Sequence, residues 1–166
     1  AVLAQDQQNW TISGDPTEGA LLVVPEKLGL AVEELRSRHA RIDTIPFESE
    51  HKFMATLNRL EDSGKMIFLK GAPEILLRLC SVTRAGSNVD TKAILGHVET
   101  LAAKGMRVLA IASKRVAHSR DEISHHDVES GCALLGLIGM IDPPRAEAIE
   151  AINACHSAGI TVKMIT

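Results

Sequence analysis

Residues 46–74, PFESEHKFMATLNRLEDSGKMIFLKGAPE, constrain the fold more than any other stretch. Two alternating segments flank Asp62-Ser63-Gly64, which predicts an antiparallel hairpin. A three-residue loop closes on a left-handed residue, and Gly64 suits that position. The loop implies a register of Glu61 with Lys65, Thr56 with Lys70 and Met54 with Ala72. Strand side chains alternate, so Phe53, Ala55, Leu57, Ile67 and Leu69 share an apolar core face. Lys52, Met54, Thr56, Phe68 and Lys70 share the other. Phe47 stands just before the first strand. Gly71-Ala72-Pro73-Glu74 turns out of the second into a helix, with Pro73 at the first helical position, where its missing N–H is no loss. An aromatic platform, two lysines and a glycine that admits close backbone approach suit a nucleotide. A solvated sheet face that happens to carry lysines is the plainer alternative.

With 166 residues the chain is one domain, or one domain plus a piece of another. Its 45% hydrophobic and 23% charged residues allow a real core and argue against disorder. Three Phe, one Trp and no Tyr make each aromatic position informative. The net charge of −3, without a basic run, argues against a nucleic-acid partner. Cys80, Cys132 and Cys155 are far apart and form no CxxC pair, as expected of a reduced compartment. No stretch approaches the ~18 uninterrupted apolar residues of a membrane span, and AVLAQDQQNW lacks the features of a signal peptide. The chain reads as an excised piece of a longer one.

Residues 1–14 say little, although Trp10 reads as a packing residue. Asp15 can cap a helix, Pro16 takes its first position, and Glu18 completes a capping box. That helix runs to about Val24 or beyond, with Pro25 ending or kinking it. A second amphipathic helix spans about 31–39, and 41–46 leads as a strand into the hairpin. The helix after Pro73 reaches Leu79 or Cys80, a strand or loop covers 81–84, and 85–88 turns. Apolar spacing at Ile94, Val98, Leu101 and Ala102 predicts a helix over 90–104, stopped by Gly105. A buried strand at 106–114, a surface connection at 117–131 and an apolar strand at 132–141 follow. Asp142-Pro143-Pro144-Arg145 breaks the pattern sharply. A helix over 146–158 and a strand over 160–165 complete the reading. The seven histidines lack the ligand spacing of a closed metal site, so no metal ligand is assigned.

Neither a GxxxxGKS/T loop nor a GxGxxG turn is present. Instead GDPTEGALL, PFESEHKFM, KGAPE and GMRVLAIA occur in order, followed by DPPR and the terminal GITVKMIT. Together these resemble the nucleotide-binding domain of P-type cation-transporting ATPases, in family order and over nearly the whole chain. The pattern is similar to the branch with calcium, sodium/potassium and proton pumps, and looks most like a bacterial calcium-type or related pump. It lacks the histidine-proline pair of the heavy-metal branch. The resemblance implies an α+β fold: a largely antiparallel twisted β-sheet flanked by helices, with the pocket at its edge. It also implies roles. Phe47 matches the phenylalanine on which adenine stacks, and Lys52 and Lys70 match the two pocket lysines. Gly71 and Ala72 match the backbone beside the ligand. Glu18 matches the acidic residue at the adenine edge, Arg107 the arginine near the phosphates, and Met54 and Leu109 apolar walls. Ser49 stands where calcium pumps often carry an arginine, which removes one phosphate contact. Three alternatives stay open: Glu18 spent on its own helix cap, Arg107 as a structural ion-pair partner, and Phe47 as an ordinary core residue.

The DKTGT motif whose aspartate accepts the phosphoryl group is absent, as is the Mg²⁺-holding GDGxND run. The resemblance therefore implies that residues 1–141 are an ATP-binding domain without catalytic residues of its own, inactive in isolation. Residues 142–166 would be a hinge (Asp142, Pro143, Pro144, Arg145) and an incomplete return into the phosphorylation domain, with Thr166 opening the family's TGD. ATP, with Mg²⁺ in the intact pump, is the implied cofactor. The implied partners are the phosphorylation, actuator and transmembrane domains of the same chain, which would make this a monomeric cytoplasmic domain of an integral membrane protein. A stand-alone nucleotide-sensing module and an interaction domain that has lost nucleotide binding are the competing classes.

Overall fold

In chain order the elements are β1 (Val2–Asp6), β2 (Asn9–Ser13), α1 (Pro16–Lys27), α2 (Val32–Arg38), β3 (Arg41–Glu48), β4 (Phe53–Arg59), β5 (Lys65–Gly71), α3 (Pro73–Leu79), β6 (Cys80–Thr83), α4 (Thr91–Ala102), β7 (Arg107–Val116), β8 (Cys132–Met140) and α5 (Ala146–Ser157). A 3-10 turn, His125–Val128, precedes β8. The computed structural model describes residues 2–6 and 9–165, with side chains from Thr11 onward. Thr166 and the side chain of Trp10 lie outside the described residues.

Six strands form one sheet in the order β3-β4-β5-β7-β8-β6. Every pair is antiparallel except β6 with β8. This is the expected α+β architecture. Phe53, Ala55, Leu57, Ile67 and Leu69 are buried together with Ala110 and Ala112 of β7, as the alternation requires. Leu76 and Leu77 of α3 cover that face, with Ile94 of α4 packed against it. The 117–131 connection is more than surface, because Val128 is fully buried in the same core.

The hairpin differs from its predicted register. Arg59 pairs with Lys65, Met54 with Lys70 and Phe53 with Gly71, so residues 60–64 form the turn. Asp62 Oδ1 accepts from the Gly64 amide at 2.9 Å, an Asx-type contact that widens the loop. Ser63, at φ 60°, takes the left-handed position instead of Gly64. A Cβ at 64 would stand 2.7 Å from Asp62 Oδ1, so a larger residue there would have to displace that side chain from its bond to the 64 amide. The register moves by two residues, an even number, so every side chain keeps its face.

Helix α1 runs beyond Val24 to Lys27, so Pro25 does not end it; lying in the last turn, the proline removes one hydrogen bond, and the Leu28 amide closes the end on the Val24 and Pro25 carbonyls. Before it, where the sequence says little, β1 and β2 pair as a hairpin, Val2 opposite Ser13. One further expectation needs correction. Residues 160–165 form no strand. An apolar run becomes a strand only by bonding to a neighbour, and among the described residues none pairs with it.

Asp43 ties the edge strand to the 117–131 connection. Its carboxylate accepts from the Ile123 amide at 2.8 Å and from the Thr44 amide at 2.8 Å. The Ile123 bond first, then that from Thr44, holds its pKa below the usual 3.8. A depressed native pKa stabilises the fold above the unfolded value and loses that contribution as pH falls through the native one. Asp43→Asn should therefore lower Tm at about pH 7, with the gap to the parent closing as pH falls below about 3.8. A gap that stays constant through that range in melting curves would contradict this role.

Candidate functional site

The sheet face opposite the core carries the candidate residues, and register explains how they gather there. Met54 pairs with Lys70, and Lys70 with Ile111, so the three stand in one row across β4, β5 and β7. Leu109 and Arg107 follow Ile111 on the same face of β7, two and four residues away. Thr56 and Phe68 form the next row.

Strand β3 joins this face only through two irregularities. Plain alternation would put Arg41, Asp43, Ile45 and Phe47 on a single face. Ile45 pairs with Ala55 and is buried, which fixes the middle of β3 to the core side. A register shift between Arg41 and Asp43 then sets Arg41 opposite Asn58, and another between Ile45 and Glu48 sets Glu48 opposite Phe53. Each adds one residue to β3 and inverts the phase beyond it. Arg41 and Phe47 are thereby turned to the face of Met54 and Lys70. Phe47 is 62% exposed, so it is no core residue.

Helix α1 meets this face at its N-terminus. Asp15 Oδ1 caps the helix by accepting from the Glu18 amide at 2.9 Å. The Glu18 carboxylate reaches the sheet, where Lys70 Nζ donates to it at 2.9 Å. That bond is the main reason the Glu18 pKa lies below its usual value. Beside it, Arg107 Nη1 donates to Thr17 Oγ1 at 3.0 Å, so two side chains of this face, one from β5 and one from β7, are fastened to one helical turn. Arg107 is thus bound to a hydroxyl of α1 in place of the ion pair considered above.

Between α1, α2 and the sheet lies a cleft of about 660 Å³, lined by Glu18, Met54 and Lys70 among the expected residues. Leu21, Leu22, Arg36, Arg41, Thr56, Phe68, Leu69 and Ile111 complete it. Phe47, Ser49, Lys52, Gly71, Ala72, Arg107 and Leu109 lie outside that lining. Lys52 sits in the turn between β3 and β4 at φ 54°, its ammonium 3.8 Å from Glu74. Ser49 is exposed in the same turn. Arg36 and Arg41 add positive charge that the sequence reading missed. The face of Arg41 follows from the bulge, and nothing local in the sequence marks Arg36.

Gly71 has a reason of its own. A Cβ at this position would stand 2.5 Å from Phe53 Cβ and 2.6 Å from the Lys52 carbonyl oxygen. Its lack of a side chain therefore lets the two strand ends close, with the Ala72 amide donating to the Lys52 carbonyl at 3.0 Å. Gly71→Ala should cost about 1–3 kcal/mol of stability by overpacking. Chemical denaturation checks this, and a variant as stable as the parent would contradict the steric reading.

A profile of the family described as "P-type ATPase, cytoplasmic domain N" matches residues 1–147. The cation-transporting ATPase pma1 of Synechocystis is 47% identical over 95% of this chain and 18% of its own length. The sodium/potassium exporting P-type ATPase cta3 of Schizosaccharomyces pombe is 37% identical over 95% of this chain and 16% of its own. A calcium-transporting ATPase of Bacillus subtilis is 36% identical over 95% of this chain and 18% of its own. The chain thus spans less than a fifth of the length of these relatives. No helix among the described residues is long and apolar enough to cross a membrane.

Proposed function

We propose that this chain, which belongs to the P-type ATPase cytoplasmic N-domain family, binds ATP by its adenine and carries it to the phosphorylation domain of a cation pump. The observation that carries the reading is Phe47, an aromatic ring 62% exposed and turned by a bulge to the face that holds Lys70. Exposing a large ring has a cost that a stacked base would recover. In this reading adenine stacks on Phe47, with Met54 and Leu109 as apolar walls. Lys52, Lys70 and Arg107 form the phosphate side. Ser49, Gly71 and Ala72 form the rim. Glu18 reaches the adenine edge, so an arriving nucleotide competes for its bond to Lys70.

The pump's chemistry would lie in the rest of the longer chain. Phosphoryl transfer depends mainly on positioning and charge stabilisation, and this domain would supply the positioning. Residues 1–141 are proposed as the binding domain and 142–166 as the hinge and return into the phosphorylation domain. The complete exposure of residues 141–150 and the absence of any buried residue in α5 support that division. Asp142 to Arg145, with two adjacent prolines, give the hinge a stiff crossing. Thr166 would stand on the phosphorylation-domain side. Mg²⁺ would enter with ATP, and actuator and transmembrane domains would be the remaining partners within one monomeric cytoplasmic arm. The relatives named above differ in their ion, and none is assigned here.

Binding is expected to be weak, with a Kd on the order of 0.1–5 mM, because one stacked base and a few exposed charges supply little more. AMP should bind within tenfold of ATP. Phe47→Ala should weaken ATP binding roughly 5- to 150-fold, by ~1–3 kcal/mol, with little dependence on salt. Lys70→Ala should also weaken it, by a margin that shrinks as ionic strength rises. Calorimetric titrations of both variants at low and high salt check this. ATP affinity unchanged in both variants would mean that the nucleotide binds away from Phe47 and Lys70, and no ATP binding by the parent would favour an interaction domain instead.

A further inference from the structure

On the other side of the β3 edge, the same bulge gathers three potential metal ligands from two separate segments. Glu48 ends β3, His51 lies in the turn to β4, and His125 opens the 3-10 turn before β8. Glu48 Oε2 stands 3.5 Å from His51 Nε2. The His51 and His125 rings lie 4.1 Å apart, centroid to centroid, tilted by 39°. One donor atom from each of the three residues falls within 4.8 Å of the others, and no other such group of three occurs among the described residues. Local spacing could not reveal this set, because the fold alone brings His125 to the turn.

We propose that Glu48, His51 and His125 form a binding site for a divalent transition metal of the zinc type. Two imidazoles and one carboxylate, with water completing the shell, are a donor set that zinc accepts. Magnesium and calcium prefer oxygen donors throughout, so this set selects against them. Metal–ligand bonds of about 2.0–2.2 Å require the donors to close by on the order of 1 Å. Glu48 is exposed and His51 half-buried on a turn, so rotamer changes supply that movement.

A second observation points the same way. His125 Nε2 is buried and has no hydrogen-bond partner, a state costly to leave unmet. The ring is held edge-on against Phe53, centroids 5.8 Å apart. Phe53 is itself a core residue, so one ligand is anchored to the core while two come from the exposed turn. A bound metal would staple the β3–β4 turn to the 3-10 turn. The three ligands lie on the core side of the β3 edge, whereas the nucleotide cleft opens on the opposite face; the turn that carries His51 also carries Ser49 and Lys52.

Zinc titration of the metal-free 166-residue chain against a chromophoric chelator tests the site. One equivalent of zinc should bind tightly enough to compete and should raise Tm, whereas equal magnesium leaves Tm unchanged. His51→Ala and Glu48→Gln should each weaken zinc binding at least tenfold. Glu48 is exposed at the end of β3 and His51 lies on the turn, so these variants avoid the core loosening expected of His125→Ala. Cys155→Ser controls for the half-buried thiol beside His156 and should bind zinc as the parent does. Zinc affinity unchanged in His51→Ala and Glu48→Gln, or lost in Cys155→Ser, would overturn the site and show adventitious binding only.

Discussion

The in-phase pairing of β4, β5 and β7 is the constraint from which the rest of the structure follows. Because Met54, Lys70 and Ile111 stand in one row, their neighbours Ala55, Leu69 and Ala112 stand in the adjacent one, facing the other way. One face is thereby apolar over its centre and buried beneath α3 and α4, with Lys65 and Lys114 at one end bonded to the 117–131 connection, and the other is free to carry charge. A slip of one residue between any two of these strands would bury Lys70 and expose Leu69, so the core holds the site in register. The site's geometry is in this sense a by-product of packing.

Around that rigid centre, β3 departs from regularity twice, and each departure has a consequence. The bulge near its start turns Arg41 to the cleft, and the one near its end turns Phe47 the same way while sending Glu48 to the edge of the core side. Bulges often re-aim side chains beside functional sites. Helix α1 closes the arrangement through the Glu18–Lys70 bond. With side chains 43% and 26% exposed, that pair contributes only ~0–1 kcal/mol. It orients more than it stabilises, and a ligand can displace it at small cost.

Much of this was legible in the sequence where one local rule governs. Alternation gave the two faces of the hairpin, and Asp15-Pro16 gave the start of α1, because both depend on near neighbours. The hairpin register was missed because Asp62 uses its own side chain to widen the turn, a choice that a three-residue loop rule does not weigh. The strand at 160–165 was misread because its apolar pattern says nothing about whether a neighbour is present. Motif matching singled out Phe47 but gave no reason for its exposure, which lies in the β3 bulge. Arg36 and Arg41 escaped notice, and His125 was set aside with the other histidines for lack of ligand spacing, because their placement depends on contacts between segments far apart in the chain.

The central claim is that the adenine of ATP lies on Phe47, over the sheet face opposite the core. Intermolecular nuclear Overhauser effects from the adenine H2 and H8 protons test it most directly. They should reach the Phe47 ring and the Met54 methyl group. The protein also has an apolar groove of about 410 Å³ between α4 and β8, lined by Ile94, Leu101, Leu134 and Leu137. Adenine contacts to those side chains, with none to Phe47, would contradict the claim.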